Sequence, residues 1–488
     1  MEAIFDEIYT VKKRNEHITI SQIMQIIKEK NIEFVDLKFC DLFGRIHHYT
    51  QTAEKADEDL FTIGTGFDGS SIRGFQSINQ SDMLMRPDPS TAFIDPFFDH
   101  RTMSFFCDIV DPVGRTRYEK DPRYVAFKTL DYLRSTGIAD TAFFGPEPEF
   151  FIFDHVSYEQ TQNRAFYEVD SAEGYWNTAK KGEGSLGYKI GYKQGYFPVA
   201  PHDQLHNLRS KMVEVLRSCG VQANLHHHEV ATAGQTEIGL DIEELVEQAD
   251  TLLKFKYLVK NVAHRYGKTV TFMPKPIFMD NGSGMHTHIS LWKDGRNAFY
   301  EFGRYADLSD EARYFIGGIF AHIEAVLAFS APTTNSYRRL VPGYEAPINL
   351  VFSARNRSAA VRIPMYSESE KAKRVEFRCP DSTVNPYLAF SAMIMAGLDG
   401  IENMIEPPDP IDDDIYELPP EKKMHIRSTP GSLKESIDGL ERDHEFLLKG
   451  NVFSKSLIDS YIEYKRISEI DQVSLRPHPW EYSLYYEA

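Results

Sequence analysis

Apolar residues first recur with helical spacing at Ile20, Ile23, Met24, Ile26 and Ile27, which predicts a short amphipathic helix begun by Thr19 or Ser21. The period then shortens. FVDLKFCDLFGRIHHYT alternates apolar and polar positions around a glycine, the pattern of a strand, a turn and a second strand. TAFIDPF and TMSFFCDIV read as further strands, so a small mixed domain is expected at the N-terminus. A helix is expected over 122–133, with Pro122 in its first turn and Gly137 as its stop. After it AFFGPEPEFFIF reads as a strand, 204–218 as a helix and VQANLHHHEV as another strand. IEELVEQADTLLKFKYLVKNVAHRYG and DEARYFIGGIFAHIEAVLAF carry long helical periods suited to packing on a large sheet. The segment 179–198, rich in glycine, lysine and tyrosine, and the acidic EPPDPIDDDIYELPP lack either period and are expected to be loops.

Composition narrows the class. A chain of 488 residues exceeds the size of one ordinary core, so two or three domains are expected, and 42% hydrophobic residues exclude a disordered chain. With 72 acidic against 54 basic side chains the formal charge is -18, which argues against nucleic acid or an anionic membrane as partner. It leaves room for an anionic substrate held by a metal or by arginines. Cys40, Cys107, Cys219 and Cys379 are far apart with no CxxC pair, as expected of reduced thiols in the cytoplasm. The first residues lack a signal-peptide pattern, and no apolar run has the length of a membrane span.

Glu147 and Glu149 sit two apart on an expected strand, so both carboxylates face one side of the sheet. Alone the pair also reads as a solvated carboxylate face. A hard, oxygen-seeking ion such as Mg²⁺ or Mn²⁺ would relieve their repulsion. Glu229, Glu237 and Glu376 lie at further expected strand ends, and His286 and His288 share a strand face, although either histidine alone reads as a satisfied core residue. Together these groups suffice for two adjacent ions, the arrangement of two-metal phosphoryl chemistry. GxxxxGK[ST] and the kinase HRD and DFG set are absent, so any ATP must be held by metals and arginines. Arg338, Arg339, Arg355, Arg357, Arg362, Arg374 and Arg378 supply guanidinium forks for that purpose.

Taken in order, FDGSSIRGF, FGPEPEFFIFD, HHHEVATAGQTEIG, FMPKPIFMDNGSGMHTHIS, RLVPGYEAP, SARNRSAAVRIP and RVEFRCPDST resemble glutamine synthetase of the bacterial type I class over nearly the whole chain. The resemblance implies an α+β fold: an N-terminal β-grasp domain over 17–120, after an extension over 1–16 read as a plain tail, and a catalytic domain over 121–488 with a curved antiparallel sheet flanked by helices. It implies that ATP, L-glutamate and ammonium give L-glutamine, ADP and phosphate through γ-glutamyl phosphate. Glu149, Glu229 and Glu237 would hold one Mg²⁺ or Mn²⁺ ion, and Glu147, His286 and Glu376 a second. Asn281, Gly282 and Arg339 would contact the amino acid, with Arg357 and Arg378 at the reacting carboxylate and phosphate. His288, Ser290, Arg362, Lys371 and Arg374 would lie along the nucleotide, although KAKRVE reads equally as a charged strand start. Asp68 of a neighbouring subunit would bind and deprotonate ammonium, and Glu345 would sit on a flap over the acyl phosphate; locally the two read as an Asx turn and a loop carboxylate. The same resemblance implies a homododecamer of two hexameric rings with active sites between subunits, and places Tyr416 where an adenylylating enzyme acts on some members, or as a plain loop tyrosine. A ligase for another amine, such as a polyamine, and a catalytically silent relative are the competing readings.

Overall fold

The computed structural model describes residues 10–11, 18–76, 78–182, 186–342, 346–366, 369–413, 415 and 417–488. Glu345 and Tyr416 lie outside the described residues. The first expected helix forms over Ile20–Glu29. Thr19 accepts the Gln22 N–H, and the Gln22 side chain accepts the Thr19 N–H, so two donors at the helix start are satisfied reciprocally. Ile23 and Ile27 turn inward from it. The extension does not behave wholly as a tail: Thr10 pairs with Phe93, and Val11 packs against the core.

The helix is followed by β1 (Phe34–Cys40), β2 (Ile46–Thr52), β3 (Thr65–Asp68), β4 (Asp82–Pro87), β5 (Phe93–Ile94) and β6 (Thr102–Val110). They form a sheet of order β2-β1-β6-β4-β3, with β5 beside β6. β1 and β6 run parallel and the other pairs antiparallel. The helix expected at 122–133 extends over Pro122–Thr136, begun by the Asp121 side chain and stopped by Gly137 in the left-handed region. Its Arg123 reaches back to Asp88 and Asp108 of the first sheet region and forward to Asp250.

The second sheet is built from β7 (Thr141–Phe153), β10 (Ala223–His228), β11 (Gln235–Leu240), β12 (Glu243–Glu244), β13 (Thr269–Thr271), β14 (Met285–Lys293), β15 (Arg296–Asn297), β16 (Asn349–Ser353), β17 (Ala359–Arg362) and β18 (Val375–Phe377). β8 (His155–Gln160) and β9 (Ala165–Asp170) make a separate hairpin that the sequence reading did not single out. The order is β10-β11-β7-β14-β18-β17-β16, with β12 and β13 on β7 and β15 on β14. The sheet is antiparallel as expected except at β16 and β17, which run parallel. Behind it lie the helices Leu245–Arg265 and Pro386–Glu402, the second buried along nearly its whole length; Phe390 stacks on Phe144 of β7 with ring centres 4.4 Å apart.

One long expected helix is broken. DEARYFIGGIFAHIEAVLAF forms Asp310–Ala321 and Ile323–Ser330, bent by 81° about His322. Phe315–Phe320 before the bend and nearly all of Ile323–Ser330 after it are buried, so the hydrophobic pattern continues through the bend. Among the described residues no single helix is long and apolar enough to cross a membrane; only this bent, buried pair matches by length and composition.

Candidate active site

β7 is the spine of the site. Glu147 and Glu149 leave one face of it by strand alternation, and the neighbouring strands bring acidic and imidazole groups beside them. Glu147 pairs with His286 of β14; Glu149 pairs with Glu237 of β11, which pairs with His227 of β10. On the other side His288 of β14 pairs with Glu376 of β18, and Glu376 with Arg362 of β17. Register alone therefore assembles residues separated by more than two hundred positions in sequence on one face. They line a cavity of about 240 Å³, with Asn281, Gly282, Arg339, Arg357, Arg374 and Arg378 around its wall.

Two groups of side chains along it could each hold a metal ion. Glu147, His286 and Glu376 have donor atoms within 4.8 Å of one another, as do His227, Glu229 and Glu237. Glu149 lies beside the second group, its Oε2 accepting from Gln235 Nε2 at 3.1 Å and from the Gly284 N–H at 3.0 Å. Burial, then the charges of Glu149 and Glu237, push the Glu229 carboxyl up to about 9. Burial opposes ionisation of Glu147 as well, but hydrogen bonding to His286 and His288 holds it far below the ordinary carboxylate range. Burial likewise works against Glu376, outweighed chiefly by the Arg378 charge. Its Oε2 is buried without a hydrogen bond although Arg362 Nε is 3.1 Å away. Crowded carboxylate oxygens, one orphaned and one carboxyl driven towards its protonated form, fit a hard divalent cation.

His288 is fixed between charges: Arg374 Nε donates to its Nδ1 at 3.1 Å, so Nε2 carries the proton towards Glu147 at 2.9 Å. Ser290 follows on the same face of β14, buried, and accepts from Trp292 Nε1. Arg339 is buried with its guanidinium donating to the carbonyls of Arg378, Cys379 and Pro380. Gly282 passes so close to it that a Cβ would stand 2.6 Å from Pro274 O and 3.0 Å from Arg339 Cγ. Lys371 is exposed in the short turn Glu370–Ala372, away from the lining.

Asp68 is not part of this cavity. It is exposed at the end of β3, where the Ser70 N–H and the Ser70 and Ser71 hydroxyls donate to it and hold its carboxyl below the ordinary range. The sequence reading missed His227, Gln235 and Tyr196. His227 faces the site through its pairing with Glu237, and nothing in HHHEV singles it out from the histidines beside it.

A family model described as "Glutamine synthetase, catalytic domain" matches residues 119–485, and one described as "Glutamine synthetase, beta-Grasp domain" matches 31–112. The chain belongs to the glutamine synthetase family. A glutamine synthetase of Frankia alni is 55% identical over 466 residues, covering 95% of this chain and 98% of that protein. A glutamine synthetase of Mycolicibacterium smegmatis is 55% identical over 473 residues, covering 96% and 99%. The cryo-EM structure of Plasmodium falciparum glutamine synthetase superposes with a TM-score of 0.88 at 31% identity, covering 97% of this chain and 100% of that one. Glutamine synthetases make glutamine from glutamate and ammonia at the expense of ATP, with divalent metal, and this is the activity of the chain.

Proposed function

We propose that the cavity transfers the γ-phosphoryl group of ATP to the γ-carboxylate of L-glutamate and then gives the acyl phosphate to ammonia, with two Mg²⁺ or Mn²⁺ ions per site. The observation that carries this reading is the pair of donor groups lining one cavity on one sheet face, with arginines in its wall. Glu149, Glu229 and Glu237, with His227 beside them, hold the ion on the glutamate side; Glu147, His286 and Glu376 hold the one on the nucleotide side. When bound, such ions neutralise and align phosphate and carboxylate oxygens.

The protein's own groups do the rest. Asn281, Gly282 and Arg339 seat the amino acid, the glycine because its backbone alone fits there. His288, Arg362 and Arg374 track the nucleotide, with Ser290 on the same face of β14, and the exposed Lys371 meets it only where it projects beyond the cavity lining; Arg357 and Arg378 face the transferring phosphoryl group. A γ-carboxylate oxygen attacks the γ-phosphorus and ADP leaves; the nitrogen lone pair of ammonia then attacks the carbonyl carbon, and phosphate leaves with the surplus nitrogen proton to give the neutral amide. Asp68, entering from a neighbouring subunit, takes the proton of ammonium, and its exposed position outside its own chain's cavity supports that arrangement. Glu345 closes over the acyl phosphate and keeps water from competing with ammonia.

The assembly proposed is a homododecamer of two hexameric rings, supported by the exposed Trp480, Tyr482, Tyr485 and Tyr486 near the C-terminus. The proposed domains are 17–120 and 121–488, in keeping with the two family matches. Free Cys40, Cys107, Cys219 and Cys379 support a reducing compartment, the cytoplasm. Tyr416 is proposed as the target of an adenylylating enzyme.

Initial rates of glutamine and phosphate formation test the reaction, with ATP and Mg²⁺ saturating and glutamate and ammonium present together or omitted singly. The expected result is equal formation of both products only with both substrates. Phosphate release without glutamate, or product from a polyamine but not from ammonium, would sink the reading.

A further inference from the structure

Glu173 takes no part in the chemistry above, yet it is only 1% exposed and lies against the turn that joins β10 to β11. Its Oε1 accepts the Gln204 N–H at 2.7 Å; its Oε2 accepts the Gly234 N–H at 3.2 Å and faces His228 Nε2 at 3.3 Å. His228 is equally buried, and its Nδ1 faces the carbonyl oxygens of Gly195 at 2.8 Å and Glu229 at 2.7 Å; both ring nitrogens thus face only oxygen acceptors, so each carries an N–H, Nδ1 donating to the carbonyls and Nε2 to Glu173. One carboxylate thus grips both limbs of the turn. It reaches the limb that ends at Glu229 through the His228 ring, and the limb that leads to Glu237 through the Gly234 backbone.

The loop carrying Gly195 is fastened to the same turn. Gly195 N donates to Val230 O at 3.1 Å, and a Cβ at this glycine would stand 2.2 Å from Ala231 O and 2.3 Å from Glu229 O. The next residues, Tyr196 and Phe197, stack on each other, and Phe197 packs edge-on against His227 with ring centres 4.6 Å apart. A buried carboxylate is unfavourable unless its oxygens are satisfied, and here its donors come from segments that its presence draws together.

We propose that Glu173, acting through His228 and Gly234, is a positioning residue that sets the spacing of Glu229 and Glu237 and with it the affinity of one of the two divalent-ion positions. The inference rests on the two-ion reading above. The neighbouring group of Glu147, His286 and Glu376 hangs from β7, β14 and β18, which Glu173 does not touch, so the effect is confined to one ion.

The test is Mn²⁺ alone titrated into the assembled protein, with free Mn²⁺ followed by its paramagnetic resonance signal. Glu173→Gln keeps the size of the side chain but sets an amide NH₂ against either the Gln204 or the Gly234 N–H. Groups bonded directly to metal ligands are worth about 10–100-fold in affinity, and Glu173 acts one residue further out, so the lower end, about tenfold, applies. One of two binding steps is therefore expected to weaken by about that factor, with the other unchanged within about twofold. Gly195→Ala, which pushes the aromatic loop off the same turn, is expected to weaken the same step. Equal weakening of both steps, or no change in either variant, would overturn the proposal. A single step in the unchanged protein would instead overturn the two-ion reading, and the proposal with it.

Discussion

Glu376 lies between two guanidinium groups, Arg378 donating to one oxygen and Arg362 standing 3.1 Å from the other. Glu376→Gln preserves the shape but leaves two buried cations facing an amide and removes an ionised carboxylate from the proposed metal group. The variant is expected to bind Mg²⁺ at least about tenfold more weakly, the lower bound set by loss of a mere outer partner, and to lose glutamine formation in step; calorimetry with Mg²⁺ alone checks the first. Unaltered binding would remove Glu376 from the metal centre. The acidic and imidazole residues here were legible in sequence because strand alternation fixes their side, and the carboxylates Glu147 and Glu149 announce it two residues apart. His227 was not, because three consecutive histidines look alike until pairing with Glu237 shows which one faces the site. Gln235 gave no signal, since a neutral amide shows its use only once Glu149 is seen to accept from it.

The strands were read more securely than the helices' course. β7, β10 and β14 announced themselves by alternation and by charge placed at regular intervals within apolar runs. The bend at His322 did not, because what makes it is tertiary. The imidazole stacks on Phe446 with ring centres 4.0 Å apart, while Nδ1 meets Asp443 at 2.8 Å and Nε2 meets Asp399 at 3.0 Å. A neutral ring has one N–H and cannot donate to both carboxylates, so the geometry calls for imidazolium. Burial lowers the pKa of His322, but hydrogen bonds to Asp443 and Asp399 outweigh it and raise the group above its ordinary 6.5. Lys449 and Glu402 complete the charges around Asp399. The folded state therefore holds this proton more tightly than the unfolded chain. The resulting stabilisation is fully present below about 6.5 and is lost as pH rises through the folded value. Melting temperatures of the protein and of His322→Gln are expected to differ most at pH 6 and to converge as the pH is raised; a gap that widens with pH would contradict the assignment.

At the scale of the whole molecule, a buried cation is one of the ties between the first sheet and the larger sheet, beside contacts such as Tyr257 to Asp95 and Asn385 to the Asp41 carbonyl. Arg123 is 3% exposed; its guanidinium meets Asp88 at 2.6 Å, Asp108 at 2.7 Å and Asp250 at 3.0 Å. Asp88 and Asp108 belong to the first sheet region, whereas Asp250 belongs to the helix packed behind the second. These partners lie on both sides of Arg123 and as far as 127 residues away, so nothing local in the sequence distinguished this arginine from an exposed one. The division into a β-grasp part and a catalytic part was legible; the fastening between them was not. Arg123→Ala leaves the carboxylates without their common cation, and removing one partner of a buried ion pair costs about 3–5 kcal/mol. Arg123→Lys keeps the charge but cannot fork to three acceptors, so it is expected to recover only part of that loss. Urea unfolding at one fixed protein concentration measures both variants. The expected order is wild type, lysine, alanine, with the first sheet released at lower urea than the second in the alanine variant. Full recovery by lysine would show that charge alone, and not the three-way geometry, accounts for the contribution of Arg123.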